Sequence, residues 1–207
     1  MKEPSTINHQ PSTILMQKYL FIDRDGTVIV SPPPHGQVDS FEKLHFYPHV
    51  ITWLGKIAAE LPYVLVMVTN QNGLGTDMFP EKDFLPVQNF MLETFQNEGI
   101  IFSDVIIDGS LPAENSPLRK PRTGRMKKYL EDPNADIKNS FVIGDRITDV
   151  QFAKILGSKA VFINPENTRG QSEITDTPEY LRANTVALGT MYWKEVYEYL
   201  KSTNSAV

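Results

Sequence analysis

The chain contains no cysteine. That excludes disulfides, cysteine-held zinc and thiol nucleophiles. It also lacks a long apolar run. Ahead of the first strand the apolar residues reduce to Ile14-Leu15-Met16, too short for a signal peptide, and nothing later approaches a membrane span. The expectation is a soluble, cytoplasmic protein with no membrane partner. Positive charge is not in excess either. A net charge of −5 and a pI near 5.4 argue against nucleic acid as an electrostatic partner. No GxxxxGK[ST] loop is present, so Gly73 and Gly75 read as turn glycines. What remains is a 207-residue chain, 41% hydrophobic and 10% aromatic, enough to bury one substantial core.

The rest of the chain is organised around Tyr19-Leu20-Phe21-Ile22-Asp23-Arg24-Asp25-Gly26-Thr27. An apolar run of strand length ends in two carboxylates one residue apart. Residues two apart in extended chain point the same way, so Asp23 and Asp25 converge beyond the strand end. Gly26 lets the backbone turn tightly there. Like charges held so close repel, a cost that makes sense when a cation or a proton transfer uses them.

Residues 1–17 read as a flexible arm and residues 18–165 as the principal domain. The segment 28–47, with Ser31-Pro-Pro-Pro-His35-Gly36 at its tip, reads as a loop or hairpin able to cover the carboxylates. A helix starting at Pro48 carries Val50, Trp53, Leu54, Ile57 and Leu61 on one face. Tyr63–Val68 is a near-continuous apolar strand, ending in the polar loop Thr69-Asn70-Gln71-Asn72-Gly73-Leu74-Gly75. A helix over 81–98, a strand over 102–107, a long loop to Arg119-Lys120-Pro121 and a short helix at 123–131 follow. The fourth strand, 140–143, leads into Gly144-Asp145-Arg146-Ile147-Thr148-Asp149 and another helix, and 159–163 is a fifth strand. Residues 164–190 are weakly patterned. Within a C-terminal extension, 166–207, the spacing of Trp193, Val196, Tyr197 and Leu200 predicts a closing helix near 191–201. His45 and His49 have ligand-like spacing, but Pro48 between them rules against a shared helix face, leaving them surface or packed.

This alternation predicts an α/β fold: a Rossmann-like, doubly wound, mainly parallel sheet with helices on both faces and no large cap domain. Ligands of such sheets bind beyond the carboxyl ends of the strands. Asp23/Asp25, Thr69/Asn70, Lys120 and Asp145/Asp149 each follow a different strand, so four runs deliver polar groups to one rim.

Asp23, Asp145 and Asp149 with a backbone carbonyl form a hard oxygen site suited to Mg²⁺. Mg²⁺ with a lysine and a hydroxyl describes phosphate handling. Lys120 would neutralise phosphoryl oxygens and Thr69 would donate a hydrogen bond. Asp23, at the strand end, is the better nucleophile for an acyl-phosphate, with Asp25 beside it as general acid and base. The structural alternatives are ordinary ones: Thr69-Asn70 capping a turn, Lys120 as a solvated loop lysine, Asp149 favoured by a helix dipole.

Asp23-Arg24-Asp25-Gly26-Thr27, Thr69, Lys120 and Gly144-Asp145…Asp149 together resemble the four motifs of the haloacid dehalogenase superfamily of phosphohydrolases. The resemblance is closer to its histidinol-phosphate phosphatase branch and covers about 18–165. It implies Asp23 as nucleophile, Asp25 as acid/base, and Thr69, Asn70 and Lys120 as phosphate binders. It further implies Mg²⁺ held by Asp23, the Asp25 carbonyl and Asp145 with Asp149 supporting, and Arg119 and Arg146 as substrate contacts. Many members of that branch bind structural zinc through Cys and His in the loop before Arg-Lys-Pro. Here those positions are Asp108, Ser110, Ser116 and Leu118, so no structural zinc is expected. The domain is fused to a dehydratase in some organisms, so a dehydratase domain is a candidate partner if the natural product is longer.

The implied reaction is Mg²⁺-dependent hydrolysis of L-histidinol phosphate in histidine biosynthesis, with Asp39 and Glu42 on the flap available to attract the substrate ammonium. The alternatives are a sugar (heptose) bisphosphate phosphatase and a non-catalytic phosphate-binding scaffold. A polynucleotide 3′-phosphatase shares the first motif but not the acidic balance.

Overall fold

The computed structural model describes residues 16–32, 36–163 and 178–205. Most of the anticipated arm, the tip Pro33-Pro34-His35 and residues 164–177 lie outside the described residues. Six parallel strands form one sheet in the order β3-β2-β1-β4-β5-β6: β1 (Lys18–Ile22), β2 (Tyr63–Asn70), β3 (Phe102–Asp108), β4 (Phe141–Gly144), β5 (Lys159–Ile163) and β6 (Val186–Thr190). The order reverses between β1 and β4, where a ligand crevice opens in this topology.

Both sheet faces are covered, which explains why the strands read as unbroken apolar runs. Leu20, Ile22, Leu65, Met67, Ile143 and Val161 face one core, closed by α1 (Val50–Glu60), α2 (Glu81–Asn97) and α6 (Trp193–Asn204). The intervening Tyr19, Phe21, Val66, Val142 and Phe162 face the other. That side is closed by the single turn α3 (Lys127–Leu130) with Met126, by α4 (Ile147–Leu156) and by α5 (Pro178–Thr185). The same alternation orients the residues just past the end of β1. Asp23 continues the parity of Tyr19 and Phe21 toward the α4 side, and Arg24 that of Leu20 and Ile22 toward α2.

Several boundaries differ from the sequence expectation. α1 begins at Val50, because His49 occupies the left-handed region at φ 60° as its N-cap. β2 runs on through Thr69 and Asn70, which pair with Ile107 and Asp108. The short helix at 123–131 is a 3-10 turn followed by α3. The weakly patterned region contains α5 and the edge strand β6, which pairs with β5. α6 packs over the same core and reaches the rim beyond the end of β1, its Trp193 Nε1 donating to Thr27 O at 3.0 Å. Among the described residues no helix is long and apolar enough to cross a membrane.

The 28–47 segment is a hairpin at its base. Ile29 and Phe46 form an antiparallel bridge, Val30 N donates to His45 O and Tyr47 N to Val28 O. Its far end is pinned across the crevice by Gln37 Nε2, which donates to Asn72 O at 2.9 Å.

Candidate active site

The site lies at the reversal point between β1 and β4. Asp23 leaves β1 with its backbone N–H bonded to Ile143 O at 2.8 Å, so the two strand ends are locked together at the carboxylate. Asp145 follows β4 directly, and Asp149 sits in the first turn of α4, its Oδ2 accepting from the backbone N of Arg146 at 3.1 Å. Asp23, Asp145 and Asp149 each offer a carboxylate oxygen within 4.8 Å of the others, and all three are buried.

Two glycines make this crowding possible. A Cβ on Gly26, where φ is +81°, would lie 2.1 Å from Asp145 Oδ2, and one on Gly144 would lie 2.3 Å from Asp149 Cγ. Only a residue without a side chain allows those approaches.

Lys120 enters from the loop after β3, itself buried. Its Nζ donates to Asp23 Oδ1 at 2.8 Å, Asp149 Oδ1 at 2.7 Å and Val68 O at 2.6 Å. Burial works to lower its pKa, but the Asp149 and Asp23 carboxylates outweigh it and raise it, so the ammonium stays charged. Burial raises the carboxyl of Asp149, against the pull of Lys120. Asp145 is pushed up to about 8 by burial, with the Asp23 and Asp149 charges adding to it. Its Oδ1 is buried with no hydrogen-bond partner. A buried carboxyl oxygen without a hydrogen bond, crowded by two further carboxylates, is what a hard divalent cation would satisfy, and the donor set fits Mg²⁺.

Asp25 points away from that cluster. Arg24 Nη1 donates to its Oδ1 at 2.8 Å and Gln71 Nε2 to its Oδ2 at 2.6 Å. Burial raises its pKa against the opposing Arg24 charge and the Gln71 hydrogen bond. Its carboxylate is thus held by Arg24 and Gln71 and is not one of the three that cluster, while its backbone carbonyl could serve a cation. Thr69, at the end of β2, accepts from the same Gln71 amide at 2.9 Å. Arg146, at the N-cap of α4, has its Nε 3.9 Å from Asp145 Oδ1, and all four carboxylates raise its pKa against its own burial.

Two residues anticipated as ligand contacts make hydrogen bonds within the protein. Asn70 Nδ2 donates to Lys120 O at 2.9 Å and its Oδ1 accepts from Lys120 N at 3.1 Å, a paired clamp that sets where the lysine starts. Arg119, 4% exposed, donates through Nη1 to Asn72 Oδ1 at 2.8 Å and Ser110 O at 2.9 Å. It ties the long loop to the one after β2. Asp108 braces the same loop, accepting from the Ser110 hydroxyl and from Arg125 Nε at 3.3 Å. On the flap, Asp39 pairs with Lys43 at 2.6 Å, so its charge is matched locally.

Arg24 and Gln71 were absent from the sequence-derived set. Arg24 stands between two carboxylates and so had to turn to the opposite face. Gln71 lies two residues beyond Thr69, near enough to share its work. Both signals were present and neither residue type announces itself as catalytic.

Residues 117–187 match the family model described as "HAD-hyrolase-like". The chain is 47% identical over 186 residues to the "Histidine biosynthesis bifunctional protein HisB" of Bacteroides fragilis, covering 90% of this chain and 48% of that protein. The same-named protein of Spirosoma linguale is 47% identical over 188 residues, covering 90% and 49%. The chain thus spans about half the length of these curated relatives. Among solved structures, the D,D-heptose 1,7-bisphosphate phosphatase of B. bronchiseptica, complexed with magnesium and phosphate, superposes with a TM-score of 0.71. That match covers 91% of this chain and 99% of the other at 18% identity, which speaks for the fold.

Proposed function

We propose that the chain is a haloacid dehalogenase-like hydrolase and, within that family, an Mg²⁺-dependent phosphomonoesterase acting on L-histidinol phosphate. The observation that carries the reading is one ammonium, Lys120 Nζ, bonded at once to Asp23 and Asp149 beside the unpaired Asp145 oxygen. This is a cradle for a dianionic group facing a carboxylate nucleophile. The histidinol part comes from the names of relatives 47% identical over most of the chain.

In the first step an Asp23 carboxylate oxygen attacks phosphorus and the ester oxygen departs, with Asp25 giving it a proton. In the second, Asp25 takes a proton from water as that water attacks the phosphoryl-Asp23, releasing phosphate, freeing the Asp23 carboxylate and leaving Asp25 protonated for the next turnover. Lys120 and the Thr69 hydroxyl hold phosphoryl oxygens as charge shifts among them. Magnesium, when held by Asp23, Asp145 and the Asp25 carbonyl with Asp149 in support, neutralises phosphoryl oxygens and the crowded carboxylates. Asn70 places Lys120, and Arg119 places the loop that carries it. Arg146, at the open edge, is the cation available to the substrate. The remaining half of the bifunctional relatives makes a dehydratase domain the proposed covalent partner.

The test is phosphate release with Mg²⁺ from L-histidinol phosphate beside a panel of sugar phosphates and bisphosphates, with Asp23→Asn as the blank. Preference for histidinol phosphate, lost in the blank, is expected. Preference for a heptose bisphosphate would move the substrate and keep the chemistry. No turnover of any ester would leave a phosphate-binding scaffold.

A further inference from the structure

Gln71 is 2% exposed and is anchored through its backbone N–H, which donates to Asp108 O at 2.7 Å. Its side-chain nitrogen meets two oxygens, Asp25 Oδ2 at 2.6 Å and Thr69 Oγ1 at 2.9 Å. An amide nitrogen carries two hydrogens and accepts nothing. Both contacts are therefore donations from Gln71, and the direction is not reversible while Asp25 is ionised, since the amide oxygen facing a carboxylate would be repelled.

The two donations act differently at their two ends. A threonine hydroxyl has one hydrogen to give and lone pairs to receive. Once Oγ1 receives from Gln71, its own hydrogen is turned outward, toward any group that lies in front of β2. At Asp25, Oδ1 is taken by Arg24 Nη1 at 2.8 Å and Oδ2 by Gln71. The carboxylate is held from two sides, so its plane is fixed and with it the lone-pair site left on each oxygen.

We propose that Gln71 is a positioning residue that sets hydrogen-bond polarity for the reaction. Through one amide it makes the Thr69 hydroxyl a donor to the phosphoryl group and aims Asp25 at the leaving oxygen. The inference rests on the phosphomonoesterase reading. It adds that phosphate binding and leaving-group protonation share a common support, so one substitution impairs both.

The experiment uses the whole chain with Mg²⁺ and two variants, Gln71→Met and Gln71→Glu. Gln71→Met keeps the length and loses both donors. Gln71→Glu keeps the shape and reverses the polarity, since its carboxylate would draw the Thr69 hydrogen inward. The first readout is inhibition by inorganic phosphate, expected to weaken about tenfold in Gln71→Met, the size of one hydrogen bond to a charged group. Gln71→Glu should weaken it at least as much. The second readout is the ratio of turnover on L-histidinol phosphate to turnover on p-nitrophenyl phosphate. Protonation matters for the alkyl ester and hardly for the nitrophenolate, so this ratio should fall, by roughly 10-fold or more.

A merely structural role would lower both substrates equally and leave phosphate inhibition unchanged, and that pattern in a folded variant overturns the proposal. If one variant fails to fold, the other carries both readouts. Should the wild-type chain hydrolyse no ester, the phosphomonoesterase reading fails by itself. Calorimetric binding of phosphate to wild type and variant then decides the Thr69 half, with equal affinities overturning it.

Discussion

Replacing Asp25 by Asn removes one carboxylate and strands a guanidinium inside the protein. Arg24 is 0% exposed, and Asp25 is its ion-pair partner at 2.8 Å. Without that charge it keeps only a neutral amide oxygen at position 25, a long contact to Val38 O at 3.5 Å and the face of Phe84, 5.0 Å from the guanidinium carbon. Taking away one member of a buried pair costs about 3–5 kcal/mol, because the survivor stays desolvated. Relief of repulsion between Asp23 and Asp25 acts the other way. It is the smaller effect: burial, Arg24 and Gln71 all weigh more on the Asp25 carboxyl than Asp23 does. For a chain of this length 1 kcal/mol moves Tm by about 2–4 °C, so Asp25→Asn should melt roughly 6–20 °C below wild type. Thermal unfolding of Asp25→Asn, Arg24→Met and the double variant tests this. The double variant, with neither charge, should regain most of the loss. An Asp25→Asn protein melting within about 2 °C of wild type, or a double variant no better than the single, would refute the reasoning. The result also bears on kinetics, since loss of activity in Asp25→Asn is evidence for acid catalysis only when Arg24 has been dealt with.

Asp145 predicts the opposite sign. Its carboxyl is raised from 3.8 to about 8, so between those values the folded protein holds a proton that the unfolded chain releases. Stability of the metal-free protein should therefore fall as pH rises through that window, and Asp145→Asn should flatten the fall, as read by urea unfolding in EDTA. Mg²⁺ should restore more stability at the upper end of the window than at the lower. Gly26→Ala should weaken Mg²⁺ dependence of turnover by on the order of 10²-fold, because its Cβ would fall 2.1 Å from Asp145 Oδ2; wild-type Mg²⁺ titration would contradict this. Trp193→Phe leaves the buried Thr27 carbonyl without its indole donor and should cost about 1–3 kcal/mol by chemical unfolding, whereas an unchanged midpoint would show that bond to be idle.

How much of this was legible in the sequence varied with the physics of each element. Strands covered on both faces have to be apolar throughout, which is why β1, β2 and β4 stood out and why the polar residues after them marked the rim. β6 is an edge strand of five residues, mostly half-buried, and α5 is a short helix, so neither carries a strong period. The site carboxylates were visible because paired acids after a buried strand are costly. Asn70 and Arg119 were visible as polar residues in the right place, but sequence position does not distinguish a side chain facing a ligand from one bonded to its neighbouring loop. Arg24 was the hardest. A charged residue in a turn reads as solvated, and only strand parity, carried two residues past Ile22, sends it into the core against Phe84.

The most direct measurement is to trap the phosphoryl group on Asp23. A single turnover of L-histidinol phosphate with Mg²⁺ is quenched in acid and reduced with borohydride, which converts an acyl-phosphate to an alcohol. Mass spectrometry of the tryptic peptides should find homoserine in place of Asp23, dependent on substrate and absent without Mg²⁺. An unmodified Asp23 during steady turnover, or reduction at another carboxylate, would contradict the nucleophile on which the whole reading depends.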